Sequence, residues 1–164
     1  MKNNYEKFLF NKYLLIPILF LFTFIHSQDP LSPNELLNLK SCSGAQISPD
    51  GEWIAYTVLI PRKADDKPGN AYNELFLQTY EGDKTIPFIV GEVNISSIQW
   101  KPDGTAISFK MKRGDDSKTQ VWGIDINGGE AYQITDSETG VINFKWHPSG
   151  DKLAYTAIEP SSAK

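Results

Sequence analysis

One cysteine in 164 residues, Cys42, means that no disulfide can form within the chain, so the fold must rest on packing alone. Histidine is almost as scarce: His26 and His147 are the full complement, and no zinc-ligand spacing or phosphate-binding loop occurs anywhere. Sixteen basic residues against twenty acidic ones leave a net charge of −4 with no basic stripe, which excludes the electrostatic footprint of a nucleic-acid binder. Asp115 and Asp116 with Asp125 lack the spacing of a calcium loop and are expected in solvated turns. From the residues alone no catalytic, cofactor-binding or metal-binding side chain is assigned, and no cofactor is expected.

What the chain does have is a repeat. Ser48-Pro49-Asp50-Gly51, Lys101-Pro102-Asp103-Gly104 and His147-Pro148-Ser149-Gly150 carry the same signature, with prolines 53 and then 46 residues apart. That period belongs to propeller blades rather than helical solenoids. Proline presets the first central dihedral of a type I turn, Asp or Ser tolerates the second, and glycine takes the positive φ that returns the chain into a hairpin. After each signature, large residues alternate with small ones. Ile54, Tyr56, Val58; Ile107, Phe109, Met111; and Leu153, Tyr155, Ala157 flank Ala55, Ser108 and Ala154, which fall six residues past the prolines. Period two predicts strands, and a large face opposed to a small one suits a sheet stacked between two others, with the small side admitting the next.

Further strands are expected at Glu74–Tyr80 and Gln120–Ile126, then at Thr85–Val90 and Ala131–Thr135, with turns at Glu81-Gly82-Asp83 and Asn127-Gly128-Gly129 between them. This makes about four strands per repeat. The seven extra residues of the first repeat fall in one loop, Pro61–Ala71, rich in Asp, Lys, Pro and Gly. The predicted fold class is all-β: a partial β-propeller of about two and a half four-stranded blades, at 45–90, 96–135 and 141–164, preceded by a short capped helix.

Residues 1–27 read differently. Lys2, Lys7 and Lys12 precede the apolar run Leu14–Ile25, too short for a comfortable membrane span, and Ser27 offers a small residue before a cleavage point at Gln28. This predicts a signal peptide and export to a periplasmic or extracellular location, with an uncleaved anchor as the alternative. Over 28–44 a helical segment is expected, because Ser32, Pro33 and Glu35 form a capping box with proline at the first helical position. Cys42 is expected as a small apolar residue beside the first strand, and His147 as a turn residue, since Ser48 and Lys101 fill its place in the other copies. Arg113-Gly114-Asp115 reads as a turn rather than an adhesion tripeptide, and Asn94-Ile95-Ser96 is a glycosylation acceptor only in a eukaryotic secretory pathway.

The segment Leu31-Ser32-Pro33-Asn34-Glu35-Leu36-Leu37, followed by Gln46-Ile47-Ser48-Pro49-Asp50-Gly51-Glu52-Trp53-Ile54-Ala55-Tyr56, resembles the start of the propeller in the prolyl oligopeptidase family of serine peptidases, particularly its acylaminoacyl-peptidase and dipeptidyl-peptidase-like members. Trp100-Lys101-Pro102-Asp103-Gly104, Gly128-Gly129-Glu130 with Gln133-Ile134-Thr135, and Gly140-Val141 leading to Phe144-Lys145-Trp146 extend the likeness. The resemblance implies a C-terminal α/β-hydrolase domain after the propeller, with a G-x-S-x-G elbow and Ser, Asp and His in chain order, and a propeller that gates access of peptides to it. These 164 residues contain no G-x-S-x-G, so the triad is absent and the chain should be inactive alone. The partners then expected are that hydrolase domain, the remaining blades and, in the intact enzyme, peptide substrates. The alternative is an envelope protein-binding propeller of the Tol-system type, which places a sizeable α/β domain where this chain has 17 residues, Gln28 to Gly44. A third arrangement has separate chains assembling blades between them. Expression in a secreting host should yield a mature N-terminus at or near Gln28 by mass spectrometry; an intact Met1 recovered with the membranes would contradict cleavage.

Overall fold

The computed structural model describes residues 31–114 and 118–161. The apolar run Leu14–Ile25, His26, Asp115 and Asp116 lie outside the described residues, and with them the signal peptide and part of the Arg113-Gly114-Asp115 reading. Among the described residues no helix is long and apolar enough to cross a membrane. The chain divides into two compact units between Leu36 and Leu37.

The predicted capping box forms. Among the described residues a single short helix, α1 (Pro33–Leu37), begins where the Ser32 N–H donates to Glu35 Oε2 at 2.7 Å and the Glu35 N–H donates to Ser32 Oγ at 3.2 Å. This reciprocal pair satisfies two of the donors that a helix start leaves open, and the bonds from Ser32 hold the Glu35 carboxyl below its usual range.

All other described elements are strands. β1 (Ser41–Ile47), β2 (Trp53–Ile60), β3 (Tyr72–Thr79) and β4 (Thr85–Ile89) form one antiparallel sheet in sequence order. β5 (Ser96–Trp100), β6 (Ala106–Met111), β7 (Gln120–Asp125) and β8 (Tyr132–Gln133) form a second, and β9 (Val141–Trp146) with β10 (Leu153–Ala157) a third. Two four-stranded meanders and the first hairpin of another make the partial propeller that the repeat predicts.

Two boundaries move. The first sheet begins at Ser41, inside the segment 28–44 expected to be helical, because Cys42 and Ser43 pair with Val58 and Thr57 and the Ser43 and Thr57 hydroxyls meet at 3.0 Å. Cys42 is therefore a strand residue, and exposed. The strand expected at Ala131–Thr135 shrinks to two residues, because the N–H groups of both Ile134 and Thr135 turn to the single carbonyl of Val121, at 2.8 and 3.4 Å.

Each signature builds the same hairpin. The glycine N–H closes a four-residue turn onto the carbonyl of Ser48, Lys101 or His147 at 2.8–2.9 Å, and the N–H of that same residue donates to Trp53, Ala106 or Lys152 across the hairpin. Gly51, Gly104 and Gly150 all hold φ between +73° and +80°, a region that costs other residues about 1–2 kcal/mol. The innermost strands carry a bulge, between Ser43 and Gln46 in β1 and between Ser96 and Gln99 in β5. Gly44 takes the positive φ in the first; Ser97, at φ 52°, takes it in the second without glycine's freedom.

The main core lies between the first two sheets: Ala55, Leu75 and Leu77 from one, Ile98, Trp100, Ile107, Phe109, Met111 and Ile124 from the other. A smaller cluster of Val121, Val141 and Phe144, with Ile134, Trp146 and Leu153 against it, joins the second sheet to the third.

These turn conformations predict opposite signs at two positions. An added methyl at Gly104 would meet nothing closer than 3.8 Å, so Gly104→Ala should cost about 1 kcal/mol for conformational reasons alone, whereas Ser97→Gly should stabilise by several tenths of a kcal/mol or more by relieving the left-handed serine. Urea unfolding of the two variants checks both; equal signs would show that backbone conformation is not the controlling factor.

Candidate functional site

The chemistry-bearing side chains gather where one sheet meets the next. Trp100 and Trp146 each stand two residues before a signature proline, at the ends of β5 and β9. The Trp100 indole N–H donates to the Gln46 carbonyl at 3.0 Å, reaching from the second sheet to the first, and the Trp146 indole N–H donates to Ser108 Oγ at 3.1 Å, reaching from the third to the second. Ala55 and Ser108 occupy the matched small position, both at 0% exposure. The serine hydroxyl is tolerated there because the indole supplies its partner. Two more donors cross the second seam: Gln99 Nε2 to the Phe144 carbonyl at 2.8 Å, and Lys110 Nζ to the Ile142 carbonyl.

A second device holds the connections between sheets. Glu74 Oε1 accepts from the Gly91 N–H at 2.8 Å, and Gln120 Oε1 accepts from the Ser137 N–H at 3.0 Å; the sequence separation is 17 in both. Around Gln120 the network is closed. Its amide donates to the Ser137 carbonyl, its Oε1 also accepts from Thr135 Oγ1 at 2.8 Å, and Thr135 Oγ1 accepts the Val121 N–H at 2.9 Å.

At the outer side of the first seam lies an open groove of about 430 Å³, floored by Phe88, Val93, Met111 and Ile124 and edged by Arg113 and Glu130. Arg113 bridges to Glu130 at 3.0 Å and lies 5.4 Å from the centre of the Trp122 ring. Both ions are exposed, so the pair positions the guanidinium rather than stabilising the fold. The Trp122 indole N–H is buried without an acceptor among the described residues. At the insertion loop, Arg62 Nε donates to the Asn70 carbonyl, and Nη1 to the Lys67 carbonyl and the Tyr72 hydroxyl, folding the loop over a nearly buried ring. Burial raises the Tyr72 phenol above its usual value, against the nearby Arg62 charge, which lowers it.

The residues singled out by the sequence fall in separate places. His147, Ser149 and Asp151 do meet: His147 Nδ1 lies 2.5 Å from Ser149 Oγ, which donates to Asp151 Oδ1. Here the serine stands between the histidine and the acid, whereas nucleophile activation needs the histidine between serine and acid. All three belong to the exposed turn of the third signature. Asp103 has the matching role in the second: bonds from Lys101 and from the Thr105 hydroxyl and N–H lower its carboxyl to about 2. Asn94 is exposed beside buried Ile95, whose N–H and carbonyl both bond to Asn73. Among the described residues no three His, Cys, Asp or Glu side chains are placed to share a metal ion. Neither the gripping pair Glu74 and Gln120 nor the indole donors emerge from sequence reasoning; the signal available for both was the repeat spacing itself.

No family model matches the chain. Among curated proteins it is 24% identical over 126 residues to the uncharacterized peptidase YuxL of Bacillus subtilis, covering 77% of this chain and 19% of that protein. It is 26% identical over 127 residues to dipeptidyl-peptidase 5 of Porphyromonas endodontalis, covering 77% and 18%. The chain thus spans about a fifth of the length of these relatives. Among solved structures, the isopeptidase AtxE2 aligns with a TM-score of 0.62 at 18% identity, over 78% of this chain and 23% of that one. The β-propeller domain of the Trilobed protease from Pyrococcus furiosus aligns at 0.56 and 18%, over 73% and 35%, and a TolB-type protein from Agrobacterium tumefaciens at 0.55 and 21%, over 74% and 41%. The fold is that of a β-propeller, and the chain resembles the propeller portion of prolyl oligopeptidase-type serine peptidases.

The second seam yields a coupled pair. Trp146→Phe should cost about 1–3 kcal/mol, because it strands a fully buried hydroxyl. Ser108→Ala should cost less, since alanine already fills that place in the first sheet. In the double variant the two costs should fall short of their sum by about 1 kcal/mol in a urea-unfolding cycle; strict additivity would show that the hydrogen bond does not hold the seam.

Proposed function

We propose that this chain is the N-terminal propeller portion of an exported serine peptidase of the prolyl oligopeptidase type, and that it helps gate peptide access to an α/β-hydrolase domain encoded beyond these residues. The observation that carries the reading is the matching of two peptidases over 77% of this chain and only about a fifth of their own length. A segment of that extent corresponds to a few blades and leaves room in such proteins for a complete catalytic unit. The geometry is compatible. Seam residues are committed to joining sheets, and the Ser149, His147, Asp151 grouping seen among the described residues has the wrong order for acyl transfer. What the chain offers such an enzyme is a wall.

Export rests on Lys2, Lys7 and Lys12 ahead of Leu14–Ile25. The second reading, a protein-binding propeller of the Tol-system type, draws on the fold likeness to the TolB-type structure. The two readings differ in the coding sequence beyond Lys164. On the peptidase reading, the gene should continue through further Pro-Asp-Gly repeats to a G-x-S-x-G elbow, an Asp and a His. The 164-residue chain should hydrolyse chromogenic dipeptide and acyl-amino-acid substrates no faster than buffer, while the extended protein should be active and blocked by a serine-directed phosphonate. Hydrolysis by the short chain, or repeats that run to a stop codon without an elbow, would overturn this assignment.

A further inference from the structure

We infer that Asn127-Gly128 is a site of spontaneous deamidation, that the Asp125 carboxylate holds it in check, and that its product loosens the hairpin end carrying Glu130. The sequence contains this one Asn-Gly pair. Glycine after asparagine leaves the backbone nitrogen unhindered and the dihedrals free, which is what ring closure onto the side chain requires. Elsewhere larger residues follow, as in Asn70-Ala71, Asn73-Glu74, Asn94-Ile95 and Asn143-Phe144. The signature pairs Asp50-Gly51 and Asp103-Gly104 are poorer substrates, because ring closure there needs the protonated acid and both carboxyls are held below their usual range. Bonds from Ser48 and the Glu52 N–H do this for Asp50, and bonds from Lys101 and Thr105 for Asp103. At Asn127 the Gly128 nitrogen attacks Cγ: the N–Cγ bond forms, the Cγ–Nδ2 bond breaks, and ammonia leaves with the proton that Gly128 carried. Water then opens the succinimide at either carbonyl, giving aspartate or isoaspartate at position 127. Asn127 is exposed, so solvent supplies that water.

The turn opposes this attack twice. The Gly128 N–H donates to the Asp125 carbonyl at 2.9 Å, which occupies the attacking nitrogen, and Asp125 Oδ1 accepts from the Asn127 N–H at 2.8 Å and from its Nδ2 at 2.9 Å, which fastens the side chain to Asp125. Reaction therefore needs a local opening, and the free energy of that opening sets the rate. The first repeat makes the same turn without the reactive pair: the Gly82 N–H closes onto the Thr79 carbonyl at 3.0 Å, and Glu81 fills the place of Asn127. Deamidation replaces a donor bonded to Asp125 with a second carboxylate, and like charges at hydrogen-bond range repel. The isoaspartate form also lengthens the backbone by a methylene. Both changes fall just ahead of Glu130, which bridges to Arg113 at 3.0 Å, and Gly129, Glu130 and Ala131 line the groove of about 430 Å³ at the first seam. The modification acts on the edge of that groove, and its chemistry does not depend on the peptidase reading.

Chain aged in mildly alkaline buffer, then digested and followed by peptide mass spectrometry with an isoaspartate-specific methylation assay, should show Asn127 as the first residue modified. In guanidinium-unfolded chain Asn127 should react at least about tenfold faster than in folded chain. Asp125→Ala should accelerate the folded-state reaction by about fivefold or more, and Asp125→Asn, which keeps an acceptor oxygen, by less. Gly51→Ala lowers global stability at a distant turn, where glycine holds φ +80°, and should leave the rate at Asn127 within about a factor of two. Asn127→Asp should speed hydrogen exchange of the Gly128 amide by about threefold or more. Equal rates in folded and unfolded chain, no acceleration in Asp125→Ala, or an equal acceleration in Gly51→Ala would overturn the shielding role of Asp125. Earlier modification of another asparagine would overturn the assignment of the site, and unchanged exchange in Asn127→Asp its effect on the hairpin.

Discussion

Stacked sheets with ordinary side chains on both faces sit about 10 Å apart, and consecutive sheets of a propeller converge toward its axis, so the inner strands must approach more closely than their side chains normally allow. That constraint falls on one position per repeat. Ala55 and Ser108 meet it by being small, and in each case the space is taken by the neighbouring core with a tryptophan at its edge. A larger residue there would force the sheets apart or drive side chains off their rotamers at about 1–3 kcal/mol. The choice of tryptophan reflects the same crowding. A wide ring covers the small residue, and its N–H satisfies the backbone or hydroxyl oxygen that closure would otherwise strand, Gln46 O in one seam and Ser108 Oγ in the next.

Close stacking also fixes how the chain passes between sheets. The link must leave the outer strand and reach the inner strand of the next sheet without swinging wide. Glu74 and Gln120 hold it by the N–H of a linker residue at the same sequence separation. Length variation is thereby confined to connections that do not carry the link. The seven extra residues of the first repeat fall at Pro61–Ala71, where Arg62 satisfies three oxygens and stacks 4.2 Å from the centre of the Tyr72 ring, so the insertion has its own organiser and leaves the seam undisturbed.

The parts legible in the sequence are those determined by neighbours in the chain. Pro-Asp-Gly and Pro-Ser-Gly specify a turn through dihedral preferences of adjacent residues, Ser32 and Glu35 cap a helix three residues apart, and the alternation from Ile54 to Val58 reports a two-faced strand. The parts that were not legible depend on reach. Glu74 looks like any polar strand residue until its carboxylate is seen 17 positions away, and a bulge at Ser97 carries no turn signature because serine is a poor choice for φ 52°. The first sheet's start at Ser41 is not legible for a related reason: Ser-Cys-Ser-Gly lacks the alternation of a half-buried strand, and all seven residues of β1 are exposed. Thr135 erased the end of a predicted strand by taking a backbone donor with its side chain, a competition that propensity does not register.

Repetition also separates structural polar groups from candidates for chemistry. Where a side chain does the same task in two or three copies, as Trp100 and Trp146 or Glu74 and Gln120 do, its role is architectural. Residues that break the repeat are the ones free to differ in function. His147 breaks it in identity but not in role, because the turn it opens closes on Gly150 as Ser48 closes on Gly51. Arg113 breaks it in role, spanning Trp122 and Glu130 at the edge of a groove between two sheets. The free energy that closes the seams is already committed to holding small residues beneath large ones, and the surfaces left to evolve are the loops and groove edges.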